Sequence, residues 1–94
     1  MTTVKIAHLN RQGQDMIIVP LASDFGHKPD HEQESVIGEL QMHTASARLR
    51  GHVVPVWDSG GGRMGFRAPE NWHPFFESID LQFVYRNVNK EISW

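Results

Sequence analysis

Hydrophobic positions near the N-terminus follow a pattern typical of two strands joined by a short turn. The stretch TVKIAHLN at residues 3–10 predicts the first strand, and DMIIVPL at residues 15–21 predicts the second, with a turn around Gly13. Residues 16–21 are all apolar, whereas a strand with one wet face would alternate. The pattern therefore predicts a hairpin whose second strand is covered on both faces.

Residues 29–50 carry a helical pattern. Acidic side chains lie at its start and arginines at its end, and Gly51 follows, which agrees with the helix dipole and with a glycine stop. Pro29 suits the first turn, because an N–H group at that position has no partner within the helix and its loss costs no hydrogen bond. One stripe at helical spacing is expected to pack on the sheet. It consists of Val36, Ile37, Leu40, Thr44 and Ala47.

The next part of the chain predicts a second hairpin. HVVPVWD at residues 52–58 repeats the continuous apolar character of the second strand, SGGGR supplies a turn, and RMGFRA at residues 63–68 predicts the returning strand. Proline cannot donate to a strand ladder, so Pro20 and Pro55 are each expected at a strand edge, a strand end or a bulge.

The C-terminal stretch at residues 78–92 fits two patterns. Residues 81, 83 and 85 alternate as in a strand, whereas apolar positions at i, i+3, i+4, i+7 and i+11 from Leu81 match a helix with Ser78 or Asp80 as its N-cap. The longer match favours a helix, although the strand alternative stays open.

The order of these elements indicates the fold class. Strand, strand, helix, strand, strand, helix predicts an α+β domain with an antiparallel sheet of about four strands from two hairpins. One long helix and a C-terminal helix would pack on that sheet. The length predicts a single domain over residues 1–94.

Composition and charge narrow the class of protein. The absence of cysteine excludes disulfides, thiolate zinc sites and a cysteine nucleophile. The net charge of −2 makes nucleic-acid binding an unfavoured function. No signal peptide or membrane-spanning run is recognisable, so we expect a cytoplasmic protein with no membrane contact. A small basic patch would consist of Arg48, Arg50, Arg63 and Arg67.

Neither a metal site nor a catalytic site is indicated. The six histidines are scattered, and His27 and His31 are separated by Pro29 at a helix start, so no metal or cofactor is predicted. The glycine-rich run at residues 58–63 lacks a Walker lysine and favours a hairpin turn over a phosphate cradle. No nucleophile elbow is present, which ranks enzymatic catalysis below binding.

The stretch APENWHPFF at residues 68–76 fits neither the strand nor the helix period, and it has two interpretations. Its aromatic side chains are either the lip of a binding site or a plug that closes the core, and the plug is favoured because small domains need large side chains in their cores. The candidate residues for binding a ligand or partner are Trp57, Arg63, Phe66, Arg67, Trp72, His73 and Phe76.

Two functional hypotheses follow. The first is a small non-enzymatic interaction protein, a homodimer or bound to a protein partner, because the apolar strands need more cover than two helices supply. The short, motif-poor chain has the general character of proteins carried by phages and integron cassettes. An inhibitor from a mobile element could present the acids Glu32, Glu34 and Glu39 to a host nucleoprotein complex.

The second hypothesis is a small-molecule binding module. Its pocket would lie between helix and sheet. The side chains expected to line it are Trp57, Phe66, Trp72 and Phe76.

Overall fold

The computed structural model describes residues 2–94, and the first predicted hairpin is present within them. β1 (Thr3–Arg11) pairs antiparallel with β2 (Gln14–Pro20). Gln12 and Gly13 make the turn with φ angles of 53° and 80°. A two-residue turn with both φ angles positive matches the right-handed twist of the flanking strands. The turn therefore fixes the pairing of β1 with β2.

Within residues 2–94 the sheet has five strands, and it is mixed rather than antiparallel. β3 (His52–Gly60) and β4 (Arg63–Phe66) form the predicted second hairpin, but β3 runs parallel to β2. The strand order is β4-β3-β2-β1-β5. The prediction of an antiparallel sheet is wrong because a long helix separates β2 from β3 in sequence, and a helical crossover brings two strands side by side in the same direction.

The C-terminal stretch is partly helix and partly strand. α3 (Leu81–Arg86) begins at Asp80, whose Oδ1 accepts a hydrogen bond from the Phe83 N–H at 2.8 Å. β5 (Lys90–Ser93) then pairs antiparallel with β1 and adds the fifth strand. A single helix over residues 78–92 is wrong, because Ile92 packs from β5 on the face of the sheet opposite to α3.

The long helix α1 (Asp30–Ser46) begins as predicted and ends before Arg50. Its left-handed terminal residue is Arg48, with φ of 63°, rather than Gly51. The Leu49 N–H donates to the Thr44 carbonyl at 2.9 Å, which is the longer hydrogen bond of a Schellman motif. Leu49 then packs against the sheet. The packing of Leu49 on the sheet therefore accompanies the end of α1 at a point three residues or more before Gly51.

The two central strands are covered on both faces by their own chain. Ile18 and Val54 lie in a core cluster with α2 (His73–Glu77) and α3, and Ile17 and Val53 lie in a second cluster with α1. All four side chains are fully buried. The expectation that β2 is covered on both faces is confirmed.

The same burial contradicts the premise of the self-association hypothesis. The strands need no cover from a second copy, since Ile18 and Val54 are each 0% exposed in one chain. The large hydrophobic side chains left exposed within residues 2–94 are Met42 and Tyr85. They belong to α1 and α3, which pack on opposite faces of the sheet, so they form no single patch.

The aromatic segment is helical. A 3-10 turn (Glu70–Trp72) leads into α2 (His73–Glu77), with Pro74 in the first turn. Proline is tolerated there because the N–H groups of the first turn have no partner within the helix. None of the helices in residues 2–94 combines the length and apolarity needed to cross a bilayer.

Candidate functional site

Four of the predicted site residues lie together, two of them buried in the core and two half-buried beside it. Trp72 and Phe76 are 9% and 1% exposed and belong to the cluster beneath α2. Phe66 stacks on Phe76 with ring centroids 5.4 Å apart, and the His73 ring meets Phe66 edge-on at 5.3 Å. His73 Nε2 is also hydrogen-bonded to the Ala68 carbonyl at 3.0 Å. This arrangement is the one that the plug interpretation expects.

Trp57 lies on the other face of the sheet. Alternation along β3 puts it on the same side as Val53, beneath the 3-10 turn Ser23–His27. Its ring centroid is 5.1 Å from that of Phe25. The structure therefore does not bring Trp57 together with Trp72, and one pocket lined by Trp57, Phe66, Trp72 and Phe76 is not present.

The two predicted arginines occupy different environments. Arg67 Nη1 donates to Asp30 Oδ1 at 2.6 Å and Nη2 donates to Glu34 Oε1 at 3.0 Å, so its charge is engaged by the start of α1. Arg63 is exposed beside the turn of the second hairpin. Arg67 is consequently a link between β4 and α1 and is not a free anion-binding group.

A depression opens at the end of the sheet where the first hairpin turns, beside the aromatic segment. We call it the Trp72 depression, and it has two lobes that share Gln14, Asn71 and Trp72. The first lobe has a volume of about 460 Å³. It is lined by Gln14, Asp15, Gly51, His52, Pro69, Asn71 and Trp72.

The second lobe extends from Trp72 towards the end of β1 and has a volume of about 310 Å³. Both volumes fall within the range of about 300–1,000 Å³ that is usual for small-molecule sites, and the first lobe is the shallower and more open to solvent of the two. The second lobe is lined by Arg11, Gln12, Gln14, Met16, Asn71, Trp72 and Phe75.

Three side-chain amides converge on this depression without protein partners. Gln12, Gln14 and Asn71 make no side-chain hydrogen bond within residues 2–94. Every other Asn or Gln of that range, with the exception of Gln82, has its side-chain amide hydrogen-bonded to the protein. An amide offers both a donor and an acceptor, so the depression presents both kinds of group to a ligand.

The walls of the depression are held by specific contacts. Gly51 packs against the backbone of Asp15 so closely that a Cβ there would lie 2.7 Å from the Asp15 carbonyl oxygen. The Asn10 amide donates to Asp15 Oδ1 at 2.8 Å. The His52 ring meets the Trp72 ring edge-on at 5.8 Å. The floor and one wall are therefore fixed before any ligand arrives.

A second, wider groove of about 590 Å³ runs between α1 and the edge of β3. Its lining is mainly apolar, and two of its polar side chains are already paired: Arg67 with Glu34, and Gln41 with the backbone of Gly51 and Val53. It shares His52 and Pro69 with the Trp72 depression. The groups able to recognise a polar ligand are thus concentrated in the depression.

Sequence reasoning missed most of this site. Gln12 and Gln14 belong to the polar turn of the first hairpin, and polar residues are expected in any exposed turn. Asn71 was part of the aromatic segment, but only its aromatic neighbours stood out. Within residues 2–94 no group of three His, Asp or Glu side chains is placed to hold a metal ion.

Comparison with protein-family models, with curated proteins and with solved structures finds no match to the chain. The fold alone does not fix a function, because one architecture supports many activities. Function therefore has to be inferred from the chemistry of the depression.

Proposed function

We propose that the protein is a small-molecule binding module whose site is the Trp72 depression. The observation that carries the proposal is that Gln12, Gln14 and Asn71, which are exposed and make no side-chain hydrogen bond within residues 2–94, line one depression together with Trp72. Recognition sites of this kind combine an apolar surface with a few polar groups that fix the orientation of the ligand.

The position of these amides favours recognition over stability. Elsewhere in the chain amides support the backbone: Gln41 and Asn89 each hold a strand edge. Gln14 and Asn71 line both lobes, and their side-chain amides make no hydrogen bond within residues 2–94. Water satisfies their hydrogen-bonding groups in the free protein, and a ligand that replaces the water must carry matching donors and acceptors.

Rigid surroundings favour binding further. Gln12 lies in the tight turn of the first hairpin, Gln14 begins β2, and Asn71 lies in the 3-10 turn whose Trp72 is packed in the core. A backbone held in place before binding lowers the cost of ordering the site, so the cost that remains is the immobilisation of the exposed amide side chains. The backbone positions of the recognition groups are thus set by β2 and by the aromatic plug.

A fragment screen by NMR tests the proposal. With ¹⁵N-labelled protein, binding at the depression moves the side-chain NH₂ signals of Gln14 and Asn71 and the indole signal of Trp72, and leaves that of Trp57 in place. The opposite outcome, in which a diverse library moves none of these signals or moves only signals of other regions, contradicts the proposal.

Two variants test whether the side-chain amides of the depression contribute to fragment binding. Asn71→Ala removes one amide from both lobes and is expected to weaken a bound fragment, while stability stays within about 0.5 kcal/mol because no protein hydrogen bond is lost. Gln82→Ala removes an amide that also has no partner within residues 2–94 but lies on α3, outside both lobes. It is the matched control and is expected to leave affinity unchanged.

The rival proposal is a protein partner or a second copy of the chain. That proposal assumed that the apolar strands need cover from another chain, whereas Ile18 and Val54 are already buried within one chain. The inhibitor variant is weakened too, because Glu34 is engaged by Arg67 at 3.0 Å. Light scattering at micromolar concentration separates the alternatives: a monomer agrees with the binding module, and a stable dimer restores the interaction protein.

A further inference from the structure

We propose that the ligand group recognised in the Trp72 depression is a nucleobase. This inference rests on the proposed function and names the class of molecule that the depression takes. It depends on two features of the lining, the paired donors and acceptors of the amides and the arginine that lies on Phe75.

The amides match the edge of a base. Gln12, Gln14 and Asn71 each present an N–H donor beside a carbonyl acceptor. A nucleobase carries the complementary pair in one plane, and Asn or Gln binds the adenine edge through two such hydrogen bonds. Aliphatic or purely anionic molecules would leave half of these amide groups without partners. A ligand that covers these exposed amides without pairing them displaces their water and loses affinity.

The arginine supplies a flat surface. The Arg11 guanidinium lies over the Phe75 ring, 4.9 Å from its centroid, and both residues line the second lobe with Gln12 and Gln14. Guanidinium planes and aromatic rings are the side-chain surfaces on which bases stack. The cation–π contact holds the guanidinium beside the amides, so stacking and edge recognition take place in one lobe.

The charges of the depression distinguish base recognition from phosphate recognition. Among the lining residues that belong to residues 2–94, Arg11 is the one permanent cation, and Asp15 is an acid in the neighbouring lobe. A phosphate-directed site would gather several cations and lose affinity steeply with salt. We therefore infer that the base provides the affinity, and that a nucleoside and its 5′-monophosphate bind alike.

The test is a titration of ¹⁵N-labelled protein with adenosine, guanosine, cytidine and uridine, and with their 5′-monophosphates. At least one nucleoside is expected to move the NH₂ signals of Gln12, Gln14 and Asn71. Its monophosphate is expected to bind within about tenfold of the nucleoside at 50 and at 200 mM salt, since few phosphate contacts are made. Gln14→Ala is expected to weaken the nucleoside by about tenfold or more, whereas Gln82→Ala leaves it unchanged.

The outcomes separate the two proposals. If fragments or monosaccharides bind at the depression and no nucleoside does, the nucleobase inference fails and the binding module stands. If no small molecule binds there, both fail. Binding of a single-stranded oligonucleotide without binding of any nucleoside also overturns the inference, because the contacts would then come from phosphates. A nucleoside that binds equally well to Gln14→Ala contradicts the assigned role of the amides.

Discussion

The side-chain amide of Gln41 takes the place of a neighbouring strand beside Val53. Its Oε1 accepts the Val53 N–H at 3.0 Å, and its Nε2 donates to the Gly51 carbonyl at 2.9 Å. β4 pairs with β3 only from Val56 onwards, so the first part of β3 has a free edge. One glutamine of α1 thus satisfies the backbone groups that a strand partner would otherwise hold.

Asn89 does the same at β1. Its Oδ1 accepts the His8 N–H at 2.9 Å and its Nδ2 donates to the His8 carbonyl at 3.0 Å, just beyond the last pair of β1 with β5. Unpaired strand edges recruit other chains, and proteins protect them with side chains or short strands. An amide thus protects the part of β3 that β4 leaves unpaired and the part of β1 that β5 leaves unpaired.

Replacement of Gln41 by alanine should destabilise the fold. The Val53 N–H and the Gly51 carbonyl would lose their partners, and an unsatisfied buried polar group costs about 1–3 kcal/mol. Urea denaturation measures the loss, and amide hydrogen exchange should show it locally at Val53. Gln82→Ala, which breaks no hydrogen bond within residues 2–94, should stay within about 0.5 kcal/mol of the parent. Unchanged protection at Val53 would show that water replaces the glutamine.

Asn89→Ala should loosen the attachment of β5 to β1. Asn89 also donates its backbone N–H to the Ile6 carbonyl at 3.0 Å, and that bond survives the substitution. The site is exposed, so we expect a cost of about 0.5–1.5 kcal/mol, with faster hydrogen exchange at His8. Faster exchange in β3 instead of β1 would contradict the assignment.

How far the sequence predicts this fold depends on the range of each interaction. Features that depend on neighbouring residues were predicted from the sequence: the turn at Gly13, the start of α1 and an N-cap at Asp80 are all present. Pairing between distant segments did not follow from local pattern. β2 and β3 pair in parallel because the chain crosses over through α1 between them. Residues 90–93 form β5 because they pair with the free edge of β1, and their own sequence does not indicate this pairing.

The candidate site was harder to predict for the same reason. Aromatic residues stand out in a sequence, and those of residues 68–76 turned out to fill the core. The amides that line the depression look ordinary until the fold brings Gln14 and Asn71 to one place. These amides indicate a binding site because they have no hydrogen-bond partner within residues 2–94, and only a structure can show this.

Arg67→Ala should weaken the link between the end of β4 and α1. Its guanidinium donates to Asp30, Gln33 and Glu34, but both acids are largely exposed, so each ion pair contributes at most about 1 kcal/mol. We expect a total loss of about 1–2 kcal/mol that shrinks in high salt. Arg67→Lys should recover only part of it, because an ammonium cannot span the two carboxylates with a planar fork.

The control for Arg67 is Arg63. Arg63→Ala removes the same charge from the start of β4, whereas Arg67 follows the end of that strand. Arg63 forms no side-chain ion pair within residues 2–94. Its stability should remain within about 0.5 kcal/mol of the parent. Equal losses in the two variants would indicate that overall charge, and not the contacts with α1, is what Arg67 contributes.

Two glycines should respond to alanine in opposite directions. Gly65 of β4 lies against the Trp57 indole, and a Cβ there would collide with the ring, whereas a Cβ at Gly38 of α1 meets nothing within 4 Å. Neither glycine has a positive φ, so space and helix propensity decide the outcome. Gly65→Ala should cost about 1–3 kcal/mol through overpacking, and Gly38→Ala should add about 0.5–1 kcal/mol because alanine restricts the unfolded chain.

The double variant with Trp57→Phe tests the cause of the Gly65 effect. A smaller ring leaves room for the added methyl group, so the cost of Gly65→Ala should be lower in the Trp57→Phe background than in the parent. Gly26→Ala should behave like Gly65→Ala, because its Cβ would meet the same indole. Additive costs in the double variant would mean that Gly65 is required for a reason other than its contact with Trp57, and the packing of this face of the sheet would need another explanation.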